Sequence, residues 1–172
     1  SYTLYTDNLE GYYAKEIADD FSANRIRSSE ILQEESKLEE IVRLVGTDAL
    51  SPREQLTLET AKMLREDFLF QNAFDKIDAY TSLPKQYRMI KSILLFMDTA
   101  LPVVEHEDFE FKKLQALKVK EDIAAMSFWP EEEMEEKFNA LDDEIRKQIN
   151  SLKEGGTSAT EEEKKEEAPA TS

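Results

Sequence analysis

Leu38-Glu-Glu-Ile-Val-Arg-Leu-Val-Gly-Thr-Asp-Ala-Leu-Ser-Pro-Arg-Glu54 holds the end of one helix and the start of the next. Its last four residues are the sharpest local signal in the chain. Ser51 offers an N-cap hydroxyl, Pro52 takes the first helical position, and Glu54 follows three residues after the serine. In such a capping box the hydroxyl accepts from the amide at the third helical position and the carboxylate accepts from the cap amide, so two orphan donors are satisfied together. Upstream, Leu38, Ile41, Val42 and Val45 recur at helical spacing and predict the apolar face of a helix from about Ser22 to Val45. Gly46 is a natural stop for it. Glu34, Glu35, Glu39 and Glu40 are expected to face water.

Working outward, Tyr2, Tyr5, Leu9 and Tyr12 form one stripe of a first helix, weakened by Gly11 inside it. After the capping box a helix is expected to run to about Phe70, with Leu56, Leu64 and Phe68 inward. A loop with short helical turns follows from Gln71 to Leu83. Ser82 can cap the next helix, with Pro84 near its start and Tyr87, Ile90, Leu94 and Met97 along one face. Pro102 predicts a break over Thr99 to Asp108. A helix from about Phe109 to Met126 is expected to carry Leu114, Leu117, Glu121 and Ala124 or Ala125. Trp129-Pro130 opens the last helix, where Met134, Phe138, Leu141, Ile145 and Leu152 follow a seven-residue repeat interrupted by Gln148. Both a coiled coil between chains and packing across a bundle suit that spacing. No run alternates Val, Ile, Thr and aromatics, so no sheet is expected. The predicted fold class is all-α, a helical bundle of about five to seven helices over residues 1–153. Residues 154–172 contain no Leu, Ile, Val or aromatic side chain. They cannot offset ordering entropy and read as a disordered Glu/Lys-rich tail, either solubilising or an acidic docking segment.

Composition excludes several functions. The 172 residues carry 22 Lys and Arg against 38 Asp and Glu, a formal charge of -16. Such a chain repels nucleic-acid backbones, so no nucleic-acid partner is expected. The four glycines, Gly11, Gly46, Gly155 and Gly156, cannot assemble a phosphate-cradling loop. There is no cysteine and one histidine, His106, so His/Cys zinc sites and thiol catalysis are not expected. His106, Glu107, Asp108 and Glu110 read as solvated, with no metal site. Asp142 and Asp143 are read as lying along an exposed helix face, and neighbours in a helix do not converge on one point, so no catalytic residue is assigned. Glu131, Glu132 and Glu133 suit the first turn of the last helix, where they complement its dipole. No stretch approaches the roughly 20 apolar residues that span a bilayer. The longest candidate, Ile90 to Leu101, contains Lys91, Ser92, Asp98 and Thr99. Without a signal core at its N-terminus the protein reads as soluble and intracellular. Its first residue is serine, which is read as a processed chain or a piece of a longer one.

Three segments carry a resemblance: Leu38 to Glu54 as quoted, Ala61-Lys-Met-Leu-Arg-Glu-Asp-Phe-Leu-Phe-Gln-Asn-Ala-Phe74, and Lys85-Gln-Tyr-Arg-Met-Ile-Lys91. In order and separation they resemble the C-terminal helical domain of the catalytic A subunit of archaeal and vacuolar (A/V-type) rotary ATPases. The opening Ser1-Tyr-Thr-Leu-Tyr5 also looks like the start of that region. The likeness is good over about residues 1–100, looser over 101–150 and absent from the tail. The chain departs from the family at Thr81, where Cys is common, and at Phe70, where Gln is frequent.

The resemblance implies a part of a larger subunit that follows a P-loop nucleotide-binding domain. Three A and three B subunits alternate in an A3B3 ring around a central rotor stalk, coupling ATP synthesis or hydrolysis to rotor rotation and ion transport, including hydrogen-ion transport. The whole would be a cytoplasmic head peripheral to the membrane, which this chain meets only through the complex. Asp48-Ala-Leu-Ser-Pro-Arg-Glu54 is also similar to the acidic rotor-contact loop of the F-type β subunit. The implied rotor contacts are Asp48, Ala49, Leu50, Ser51, Arg53 and Glu54; read from its chemistry alone the same stretch is an ordinary helix–helix turn. The implied adenine pocket involves Phe70, Gln71 and Phe74, with Phe74 the best ring to stack on a purine, whereas Phe68 is read as core. ATP or ADP with magnesium belongs to the intact subunit. Without a P-loop the chain alone is expected to bind no cofactor and to be inactive. The alternative is a stand-alone helical interaction module that binds rotary ATPase subunits as an assembly or regulatory factor.

Overall fold

A computed structural model describes the backbone of residues 2–69 and 81–166 and the side chains of residues 15–68 and 81–153. Among the described residues there are helices and no strands. In chain order they are α1 (Tyr2–Val45), α2 (Pro52–Met63), α3 (Leu83–Val104), α4 (Phe111–Gln115), α5 (Val119–Ala125) and α6 (Met134–Glu166). A π-helical turn, Leu64–Leu69, prolongs α2. α1 lies on α2 and α3, α2 on α3, and α3 on α6, while α5 closes against α6. The result is the expected all-α bundle.

The centre is α3, the most apolar helix in sequence. It buries Met89, Ile90, Ile93, Leu94, Phe96, Ala100, Val103 and Val104 over one broad face and leaves Lys91, Asp98 and Pro102 exposed on the other. Leu56 reaches it from α2, Leu64 from the turn that prolongs α2, and Phe138, Leu141, Ile145 and Ile149 from α6. Fully burying a side chain of this size contributes about 1.5–3 kcal/mol. Polar ties fix the register between helices. The Arg27 guanidinium grips Asp98 with two hydrogen bonds, one of 2.8 Å, joining α1 to α3. Ser92 donates to Asp142 Oδ1 at 2.6 Å, and Arg88 donates to Asp142 Oδ2 at 3.3 Å and to Asn139 Oδ1 at 2.9 Å, joining α3 to α6. Asp142 is therefore half-buried and paired, which corrects its placement on an exposed face. Asp143 is exposed.

Several expectations change. α1 is one helix where two were expected. A glycine inside a helix costs about 1 kcal/mol, and no proline stands between Tyr2 and Val45 to stop it. The side chains of Tyr2, Tyr5, Leu9 and Tyr12 lie outside the described residues. The inward stripe of α1 is Phe21, Asn24, Ser28, Ile31, Glu35, Leu38 and Val42. Ile41 and Val45 point outward, 37% and 68% exposed. Glu35 is buried because it meets Arg65, on the turn after α2, in an ion pair. α3 runs through Pro102 to Val104: the lost hydrogen bond falls near the helix end, and buried Ala100, Val103 and Val104 offset it.

The single helix expected over Phe109–Met126 is two short ones. Leu114, Val119, Ile123 and Met126 turn inward while Glu121, Ala124 and Ala125 are exposed. Gln148 explains the break. Its Oε1 accepts from the Val119 amide at 2.9 Å, and its Nε2 donates to Glu144 Oε2 at 2.9 Å. The residue that interrupts the repeat of α6 thus anchors the start of α5. α6 runs as helix to Glu166. The backbone of 154–166 is thus helix where a disordered tail was expected; the side chains from 154 onward and residues 167–172 lie outside the described residues.

Candidate functional site

The corner between α1 and α2 is built by a chain of local devices. α1 ends where Gly46 adopts φ 93°, a left-handed conformation that glycine enters without steric cost. Its amide still donates to Val42 O at 2.9 Å. Thr47–Ala49 makes one 3₁₀ turn, closed by the Leu50 amide on Thr47 O at 3.0 Å. The expected capping box is present: the Glu54 amide donates to Ser51 Oγ at 3.2 Å and the Ser51 amide to Glu54 Oε1 at 3.0 Å. Gln55 Nε2 adds a bond to Leu50 O at 3.1 Å. The amides of Gly46, Ala49, Leu50, Ser51, Glu54 and Gln55 all have partners within five residues, so the corner is stiff.

Its six sequence-predicted residues divide in two. Asp48, Ala49, Ser51 and Arg53 are exposed and Glu54 half-buried. Leu50 is 4% exposed; it anchors the corner in the bundle and presents no side chain outward. Arg53 reaches Glu105 at the end of α3, 3.7 Å away and well exposed, which ties the corner to the central helix at little energetic gain. Asp48 makes no ion pair among the described residues. Sequence reasoning missed two neighbours, Leu44 and Val45, 74% and 68% exposed. The signal lay in two large apolar residues standing directly before the stop glycine, where α1 overhangs its packing partners. Together they give the corner an apolar shoulder beside Asp48 and Arg53. A groove of about 370 Å³ runs from Thr47 along Val42, Leu58 and Phe111 to Arg65.

At the other end of α2, Phe70, Gln71 and Phe74 lie outside the described residues. Phe68 is 9% exposed and part of the core. Beyond the undescribed stretch the chain is pinned again. Ser82 caps α3 by accepting from the Lys85 amide at 3.3 Å, and its hydroxyl donates to Glu131 Oε2 at 2.8 Å. Glu131 is thus bound to another helix's cap, beyond the dipole role expected for it. The buried Lys85 ammonium donates to Ser127 O and Trp129 O at 2.6 and 2.7 Å. In the turn itself, burial raises the Asp67 carboxyl to about 6, with Glu66 adding to the rise and Lys120 and Lys62 opposing it. Among the described residues no three His, Asp or Glu side chains converge as a metal site. No helix among them is long and apolar enough to cross a membrane.

Comparison with known proteins bears on this arrangement. Residues 10–113 match the family model for the C-terminal domain of V and A type ATP synthase. The V-type ATP synthase alpha chain of Acetivibrio thermocellus is 46% identical over 152 residues, covering 88% of this chain and 26% of the relative. The A subunit of the A-type ATP synthase of Methanosphaera stadtmanae is 43% identical over 150 residues, covering 87% and 26%. That of Methanopyrus kandleri is 45% identical over 152 residues, covering 88% and 26%. The chain spans about a quarter of the length of these relatives. With more than half of its residues matched by the model, the chain belongs to the family of the C-terminal domain of V and A type ATP synthases.

Proposed function

We propose that this chain acts as the C-terminal part of a catalytic A subunit, coupling ATP synthesis or hydrolysis elsewhere in that subunit to rotation of a central stalk and so to ion transport. The observation that carries the reading is the stiff, capped corner at Thr47–Glu54, combined with the names of the relatives. A motor element that pushes a rotor needs a contact that does not yield, and in this bend the amides of Leu50, Ser51 and Glu54 are all hydrogen-bonded. Asp48 and Arg53 supply charge for orientation, and the exposed Leu44 and Val45 supply apolar contact. The partners in this reading are the B subunits of an A3B3 ring and the central stalk. Segment 70–80, with Phe70, Gln71 and Phe74, completes the adenine side of a pocket whose phosphate and magnesium ligands belong to the nucleotide-binding domain.

The test is cross-linking in an assembled complex carrying Asp48→Cys or Ala49→Cys. The expected product joins this subunit to the central stalk and stalls ATP-driven rotation until it is reduced. Adducts only with B subunits, or full rotation after cross-linking to the stalk, would overturn the reading.

A further inference from the structure

Two large apolar side chains stand exposed at the end of the bundle away from the capped corner. Leu83 opens α3 and Phe128 closes the 3₁₀ turn after α5, each 66% exposed. They are neighbours because the backbone around both is tied together. Lys85 donates to Ser127 O and Trp129 O, on the two residues that flank Phe128, and Ser82 donates to Glu131 Oε2. Pro84, Ala124, Ala125 and Pro130 are exposed beside them. Ala124 and Ala125 stand four and three residues before Phe128, so the three share one side of the helical turn. None of these six residues carries a charge, in a chain with 35% charged residues. The charged groups between them, Lys85 and Glu131, are engaged within the chain. A contiguous uncharged surface of this kind marks a contact.

Its position and size limit what covers it. α3 is 22 residues long, about 33 Å, and its other end meets the corner through Glu105 and Arg53. The face therefore lies at the opposite end from the proposed rotor contact. A second copy is disfavoured by the charge of -16 on each chain. Six side chains are also few against the roughly 20–30 residues a side of a stable interface between free proteins. A domain on the same polypeptide needs far less contact, because its tether supplies a high effective concentration. α1 leads to this end. It runs in the same direction as α3, with Asp20 beside Tyr87 and Arg27 beside Asp98. Its backbone from Asp20 back to Tyr2 thus extends past Leu83 by about four turns. We propose that Leu83, Phe128 and their neighbours seat the nucleotide-binding domain of the same subunit, against an apolar surface of that domain. Motion of that domain then enters the bundle at one end of α3 and leaves at the other. This inference rests on the coupling reading above.

The experiment uses the isolated chain and the assembled complex. The chain has no cysteine, so Leu83→Cys and Phe128→Cys report access by maleimide labelling, followed at the labelled peptide. In the isolated chain both are expected to react about as fast as Asp143→Cys, whose side chain is 82% exposed. In the complex both are expected to slow at least about tenfold. Photoreactive benzoylphenylalanine in place of Phe128 is expected to form adducts with the nucleotide-binding domain of the same polypeptide. Undiminished labelling in the complex overturns the proposal, as does slow labelling already in the isolated chain. Adducts confined to residues 70–80, a B subunit, the stalk or a second copy overturn it as well. Free labelling at Phe128→Cys with the Asp48→Cys stalk cross-link intact strikes this inference alone. Loss of that cross-link with Phe128 still covered by the nucleotide-binding domain strikes the rotor contact alone.

Discussion

Ser51 concentrates the corner's rigidity in one hydroxyl. Ser51→Ala removes the acceptor of the Glu54 amide and leaves the Glu54 carboxylate to cap alone. The expected loss is about 1 kcal/mol of stability in urea titration; an unchanged midpoint would mean that water replaces the hydroxyl at no cost. Asp67 works in the opposite sense. Its folded value, about 6, lies above the ordinary 3.8, so the folded chain binds this proton more tightly than the unfolded one. The stability that the protonated carboxyl provides is complete below about pH 4 and is lost as pH rises through about 6. Asp67→Asn is therefore expected to be more stable than wild type at pH 7.5, by about 1–2 kcal/mol after allowance for partial exposure. The difference should vanish near pH 3.5, as paired urea titrations at the two pH values would show. Ser51 and Glu54 were legible in the sequence because a capping box is complete within four residues. Asp67 was not, because its burial comes from α5 and the turn.

At the scale of elements, each helix whose ends depend on neighbours departed from its sequence reading. α5 begins at Val119 with no side-chain cap of its own, and Gln148 on α6 accepts from the Val119 amide in its place. Gln148→Ala is expected to speed amide exchange across residues 119–123 about tenfold, while the amides of α3 keep their protection relative to global unfolding. Uniform acceleration over the whole chain would show that the contact serves global stability alone. The last helix illustrates the other side. Phe138, Leu141 and Ile145 are buried as their spacing predicted, against α3 of the same chain, so the repeat serves packing across the bundle. Ile149, equally buried, belongs to the same face.

For the whole molecule, a charge of -16 sets the electrostatics. Compaction brings like charges together, and the exposed ion pairs, such as Arg53 with Glu105 and Arg146 with Asp143, return little. Adding salt from about 10 mM to about 0.3 M shortens the screening length several-fold. The thermal midpoint is expected to rise by a few degrees. A fall on scanning calorimetry would show that attractive pairs outweigh the net repulsion.

The sequence by itself determined the helical class, the stop at Gly46, the capped start at Ser51 and the cap at Ser82, since these rest on interactions within a few residues. It also carried the family, through ordered motifs that survive as chemistry of the chain. Only the tertiary structure decided which face of α1 turns inward, that Leu50 is an anchor while Leu44 and Val45 are surface, that Pro102 stays helical, and that Glu35 and Asp142 are paired away from water. The physical reason is common to all of them. Helical periodicity marks an apolar stripe to within a residue or so, but the angle at which a stripe is covered, and the cation that makes a buried carboxylate tolerable, are supplied by segments distant in sequence.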